Sequence, residues 1–169
     1  MSFKRITLST EKKFWIITFI FVGLFIYGVY NIFHPNEFPI SFVRGKVREI
    51  APNIIVGPYP TESELIKLKG MGIKEVINLM DASSPIEAWI VNEEKMLSHK
   101  YDLEYLNFPM DFVNLESKAN MNQISLLVNH LLYSNGKKIY IHCYLGKHRV
   151  KVLEKEFLKV KNAHRDVVK

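Results

Sequence analysis

The chain has 169 residues, 48% of them hydrophobic and 24% charged, with a formal net charge of +6 and one cysteine. That length holds one domain of ordinary size plus a short appendage. A single cysteine excludes an intramolecular disulfide and a Cys-rich zinc site, and the basic balance comes with no nucleic-acid-binding motif.

Residues 1–13 form a basic segment, with Lys4, Arg5, Lys12 and Lys13 against Glu11. Residues 14–33 (FWIITFIFVGLFIYGVYNIF) carry no charged side chain. Their length matches the roughly 20 residues a helix needs to cross a hydrocarbon core of about 30 Å. A cleaved signal peptide has a shorter apolar run and a small-x-small cleavage site, which residues 30–33 do not offer. A buried core helix is rarely apolar all round at an amino terminus. A retained transmembrane helix is therefore expected. Arg44, Lys46 and Arg48 follow the span at a greater distance than the basic residues precede it. The positive-inside rule then favours a cytoplasmic amino terminus and an outward-facing domain, with a cytosolic domain as the alternative. Residues 34–49 open with HPNEFP and read as a linker.

The domain is expected to occupy residues 50–169. NIIVGPYP (53–60) is a short apolar strand, and Thr61 and Glu64 have capping-box spacing for a helix ended by Gly70. KEVINLM (74–80) is a buried strand. Ser84, Pro85 and Glu87 suggest a second capping box and a helix to about Ser98. YLNFPM (105–110) is a strand, and a helix follows over about 117–133 with Ile124, Leu127, Val128 and Leu131 on one side. KIYIH (138–142) is a strand leading into Cys143. Val150, Leu153, Phe157 and Val160 then recur at helical spacing. Alternating strands and helices imply an α/β fold around a largely parallel sheet. Charge is uneven along this domain: residues 137–169 hold ten Lys/Arg against three Asp/Glu, while 34–136 hold nine against thirteen. An anionic ligand near the carboxyl-terminal third would account for that, as would a solvated basic helix.

The stretch with chemical content is His142-Cys143-Tyr144-Leu145-Gly146-Lys147-His148-Arg149. A loop of this size between strand and helix can turn successive N–H groups toward one point and add the helix's positive end. Cys143 at its base would be stabilised as the reactive thiolate. Gly146 permits a turn that side chains disfavour, and Arg149 can bind two phosphate oxygens with its planar fork. Singly, a lone cysteine reads as buried filler and a lone arginine as solvated.

Taken together, these residues resemble the active-site signature of the cysteine-dependent protein tyrosine phosphatase superfamily, particularly its dual-specificity branch. The resemblance extends through NIIVGPYPTESELIKLKGMGIKEVINLMD, is strongest to bacterial members, and spans about residues 50–160. It implies a dual-specificity-phosphatase-like sheet flanked by helices, and an aspartate acid about thirty residues before the cysteine. Asp111, 32 positions before Cys143, fits that place better than Asp81 or Asp102. The implied mechanism has Cys143 attacking phosphorus, Arg149 and the loop 144–148 holding oxygens, Asp111 protonating the leaving group, and His142 tuning the cysteine from behind. No metal or cofactor is implied. A phosphorylated protein is the implied substrate, a phospholipid or phosphoinositide the alternative suggested by Lys147, His148 and the anchor. A single-pass protein of a bacterial inner membrane is expected.

Two departures stand out. The family usually has Ser or Thr after the arginine, and here Val150 offers no hydroxyl, so slow breakdown of the intermediate or a different hydrogen-bond donor is expected. The chain ends about twenty residues past Arg149, where relatives continue, so the core is expected to be partly uncovered or completed by a partner or the membrane. These departures keep open a catalytically impaired phosphate-binding module. A rhodanese-like sulfur carrier is a third reading, disfavoured by Asp111 and Arg149.

Overall fold

The computed structural model describes residues 9–33 and 44–167. It divides into two compact units, Met1–Pro39 and Ile40–Lys169.

Within the first unit, α1 (Thr10–Phe33) is one unbroken helix of 24 residues. At 1.5 Å per residue it is about 36 Å long, enough to cross a hydrocarbon core. It begins four residues before the apolar run, so Glu11, Lys12 and Lys13 lie on its first turn. Its large apolar side chains from Phe14 to Tyr30 are all exposed within the chain. Residues 1–8 and the core of the expected linker, 34–43, lie outside the described residues.

The second unit is a five-stranded sheet with helices packed on it. The strands are β1 (Arg48–Ala51), β2 (Ile54–Pro58), β3 (Glu75–Asn78), β4 (Glu104–Asn107) and β5 (Ile139–Cys143). Their order is β1-β2-β5-β3-β4, parallel throughout except for antiparallel β1. The helices are α2 (Glu62–Gly70), α3 (Ala88–Lys100), α4 (Lys118–Leu132) and α5 (His148–Val167). β5 lies at the centre and is buried along its whole length, as its apolar composition requires of a parallel strand covered on both faces.

Side-chain alternation along the strands sorts the core into two faces. Ile54, Val56, Ile77, Ile139, Ile141 and Cys143 pack with Ile124, Leu127 and Leu131 of α4 and Val150, Leu153 and Phe157 of α5. Ile55, Val76 and Tyr140 face the other way, onto Leu65 and Leu68 of α2. A third cluster joins Tyr59 and Met80 to Ile90 and Val91 of α3.

The capping box at Thr61 forms in both directions: Glu64 N–H donates to Thr61 Oγ1, and Thr61 N–H to Glu64 Oε2. The one expected at Ser84 does not form. α3 starts at Ala88, and its N-cap Glu87 makes no side-chain capping bond. β1 is a second difference, since its first residues, Arg48 and Glu49, fall in the stretch read as linker.

Candidate active site

Cys143 is the last residue of the central strand, paired with Pro58 of β2, while its neighbour His142 pairs with Asn78 of β3. The carboxyl end of such a strand is where open parallel sheets place ligand-binding crevices. The chain then turns through residues 144–147 into α5, whose first residue is His148. Cys143 is 3% exposed, and Gly146 is buried, whereas Lys147 and His148 are exposed.

Gly146 adopts φ +65°, the conformation expected of the loop's glycine. A Cβ there would meet Pro58 N at 2.3 Å and Gly57 C at 2.4 Å, so the loop is pressed against the end of β2. Successive loop carbonyls accept from different places. Cys143 O takes Gly146 N–H at 3.1 Å, Tyr144 O takes Tyr59 N–H at 3.1 Å, and Leu145 O takes Gly45 N–H at 2.7 Å.

Arg149 is 4% exposed and occupies the first turn of α5. Its guanidinium donates to Leu79 O at 3.0 Å and to both carboxylate oxygens of Glu87, at 3.1 and 2.5 Å. Glu87 also accepts from Asp81 N–H at 2.9 Å. Two buried opposite charges with further hydrogen bonds form a rigid mount, because parting them would strand a charge away from water. This pairing is also why Ser84 lacks its expected box: the glutamate that would reach back is taken by Arg149.

Asp111 lies on an exposed loop after β4. Its backbone is clamped by Asn120 of α4, whose Oδ1 accepts Asp111 N–H and whose Nδ2 donates to Asp111 O, both at 2.8 Å. The flanking residues reach the arginine's surroundings. Met110 N–H donates to Leu79 O at 3.2 Å, the carbonyl that also receives Arg149. The Phe112 ring lies 5.8 Å from the Arg149 guanidinium, within cation–π range. The Asp111 carboxylate accepts Val113 N–H at 2.8 Å.

His142 projects to the opposite face from Cys143, where it is fully buried beside Tyr140 and Tyr59. Its Nε2 lies 2.7 Å from Oε1 of the equally buried Glu94, a close contact without the alignment of a hydrogen bond. Asn78 Nδ2 donates to the other oxygen of Glu94 at 2.5 Å, and Asn78 Oδ1 accepts Met80 N–H at 2.6 Å. Burial, and then the nearby Glu94 charge, push the phenols of Tyr59 and Tyr105 well above their ordinary value, so both stay protonated. Val150 is fully buried against Leu153 and Phe157.

The structure thus brings Cys143, loop 144–148 and Arg149 together, and carries the loop of Asp111 to the same arginine. Glu87, Glu94, Asn120 and Gly45 complete the arrangement, though nothing in the sequence ties any of them to it. Among the described residues, no group of three or more His, Cys, Asp or Glu side chains is placed to hold a metal ion.

No protein-family model and no curated protein matches the sequence. Solved structures do match. A candidate phosphatase of the DUF442 group from Shewanella putrefaciens CN-32 is 23% identical, with a TM-score of 0.56 over 68% of this chain and 70% of that one. The core catalytic domain of the PP-IP phosphatase Siw14 from S. cerevisiae, in complex with citrate, is 18% identical, with a TM-score of 0.56 over 70% and 68%. Tk-PTP in its active form is 20% identical, with a TM-score of 0.54 over 69% and 74%. The second unit therefore shares the fold of these solved phosphatases.

Proposed function

We propose that this chain is a cysteine-dependent phosphatase that hydrolyses phosphate monoesters through a phosphocysteine intermediate, held at a membrane by α1. One observation supports this above the others. A lone buried cysteine ends the central strand, and a buried arginine opens the next helix, on a fold shared with solved phosphatases.

In this reading the Cys143 thiolate attacks phosphorus while the bond to the leaving oxygen breaks, and Asp111 gives that oxygen its proton. Arg149 and loop residues Tyr144, Leu145, Gly146, Lys147 and His148 hold the other phosphate oxygens. Water then attacks phosphorus, the S–P bond breaks, and ionised Asp111 takes the water's proton. Inorganic phosphate and the thiolate are released. With Val150 packed in the core, no hydroxyl at that position assists the departing sulfur, so the second step is slow and the intermediate accumulates.

Phosphotyrosine, phosphoserine or phosphothreonine proteins are the proposed substrates. A second reading, a phospholipid or phosphoinositide at the membrane surface, is favoured by the exposed Lys147 and His148 beside the cradle. Hydrolysis of p-nitrophenyl phosphate tests the enzyme itself. Cys143→Ser should abolish it, and equal rates for the two proteins would defeat the reading. Phosphate release from phosphopeptides and from phospholipid vesicles then ranks the two substrate classes.

A further inference from the structure

The segment immediately before β1 is fastened to the Cys143 loop by contacts that the catalytic reading leaves unused. Gly45 N–H donates to Leu145 O at 2.7 Å. Arg44 anchors the segment on either side of that bond. Its guanidinium donates to Tyr59 O at 2.5 Å and holds both oxygens of Glu64, at 3.2 and 2.8 Å. Tyr59 in turn donates its own N–H to Tyr144 O. Arg44 therefore braces the strand end that grips one loop carbonyl, and Gly45 grips the next.

The physical consequence concerns peptide planes. In a trans peptide the C=O and the following N–H point in opposite directions. Drawing the Tyr144 and Leu145 carbonyls outward, toward Tyr59 and Gly45, turns the N–H of Leu145 away from those partners, while the N–H of Gly146 is donated to Cys143 O. An anion nest needs its amides held on one side in this way. Without the outside donor, the Leu145–Gly146 peptide would be held only by its own Gly146 N–H bond to Cys143 O, next to the residue with the least steric resistance to a flip.

Gly45 is required for contact and not for backbone freedom. Its φ lies outside the left-handed range, yet a Cβ would sit 2.6 Å from Gly146 O and 3.0 Å from Leu145 O. Both atoms are backbone of the loop, so any side chain at position 45 has to displace the cradle.

We propose that Arg44 and Gly45 are positioning residues for the anion cradle, acting as a strap that fixes the backbone of residues 144–146 through the Tyr144 and Leu145 carbonyls. This rests on the reading of loop 143–149 as that cradle. Because Cys143 is the chain's only thiol, its alkylation reports on the loop without interference.

The test compares the full chain with Gly45→Ala, Arg44→Ala and, as a control in the same segment, Arg48→Ala, which breaks the pair with Glu154 on α5. The rate of Cys143 alkylation by iodoacetate is measured against increasing inorganic phosphate, alongside kcat and KM for p-nitrophenyl phosphate and thermal unfolding. Gly45→Ala is expected to raise the phosphate concentration that half-protects Cys143, and to lower kcat/KM, by about 10–100-fold, the scale of a misplacement near 1 Å. Arg44→Ala should do so several-fold, and Arg48→Ala less than twofold at a similar loss of thermal stability. Unchanged protection in Gly45→Ala overturns the strap, as does an equal loss in Arg48→Ala. Should Gly45→Ala not fold, unchanged protection in Arg44→Ala decides against it equally. If the wild-type chain is protected by phosphate but hydrolyses nothing, the phosphatase reading fails and the strap is still judged by protection.

Discussion

The two loops that converge on Arg149 are built in opposite ways. The Cys143 loop is buried at Cys143, Gly146 and Arg149, and its carbonyls are gripped by Gly45, Tyr59 and its own Gly146, with β2 pressed against its back. The Asp111 loop is exposed, and most of its hold is local, through Asn120 nine residues away. A nucleophile has to be held still at the reacting atom, whereas an acid has to let substrate in before it closes. Under the proposed mechanism, tying one loop to distant segments and the other mainly to Asn120 would divide these tasks physically.

Short of removing Cys143 itself, breaking the proposed acid should have the largest effect on rate. Asp111→Asn is expected to lower kcat for p-nitrophenyl phosphate about 10²–10⁴-fold, and to have less effect on a substrate with a better leaving group. On the nucleophile side, Glu87→Ala leaves Arg149 buried without its carboxylate, and urea unfolding should show a loss of about 3–5 kcal/mol. Asn120→Ala sharpens the contrast. It frees the Asp111 backbone without touching the cradle, so kcat should fall roughly tenfold while phosphate inhibition stays the same. The same fall in phosphate affinity would show that the loops are not separately held.

The smallest effect concerns Glu64, at the foot of the Arg44 brace. Burial raises its carboxyl, but hydrogen bonds from Arg44 and Thr61 outweigh that and set it below its ordinary value of 4.5. A carboxyl lowered on folding stabilises the protein above its unfolded value and loses that contribution as pH falls through its folded one. With 39% of the side chain exposed, screening keeps the gain under about 1 kcal/mol. Glu64→Gln should therefore be slightly less stable than wild type at pH 7, with the gap closing in urea titrations as pH falls below the ordinary carboxyl value of 4.5.

Much of the fold was legible because its determinants are local. The apolar runs at 54–56, 76–77 and 139–141 mark strands, and Thr61 with Glu64 marks the start of α2. Gly146 was legible as the loop's turning point because its backbone conformation is one that glycine favours. What stayed hidden depends on partners far along the chain. Glu87 has the spacing of a capping residue, and only the folded chain brings Arg149, 62 positions away, to claim it. Glu94 stands in a polar stretch of α3, yet is fully buried against His142 of β5. β1 is short, carries Arg48 and Glu49, and has no apolar alternation to announce it. Gly45 looks like any linker glycine until Leu145 O and Gly146 O are placed beside it.

Having one sulfhydryl in the whole chain decides how the site responds to peroxide. Oxidation of a thiolate gives a sulfenic acid, which many redox-sensitive proteins trap by condensing it with a second cysteine. This sequence contains no second cysteine. Trapping as a disulfide within the chain is therefore closed, and a reductant has to reach a side chain only 3% exposed.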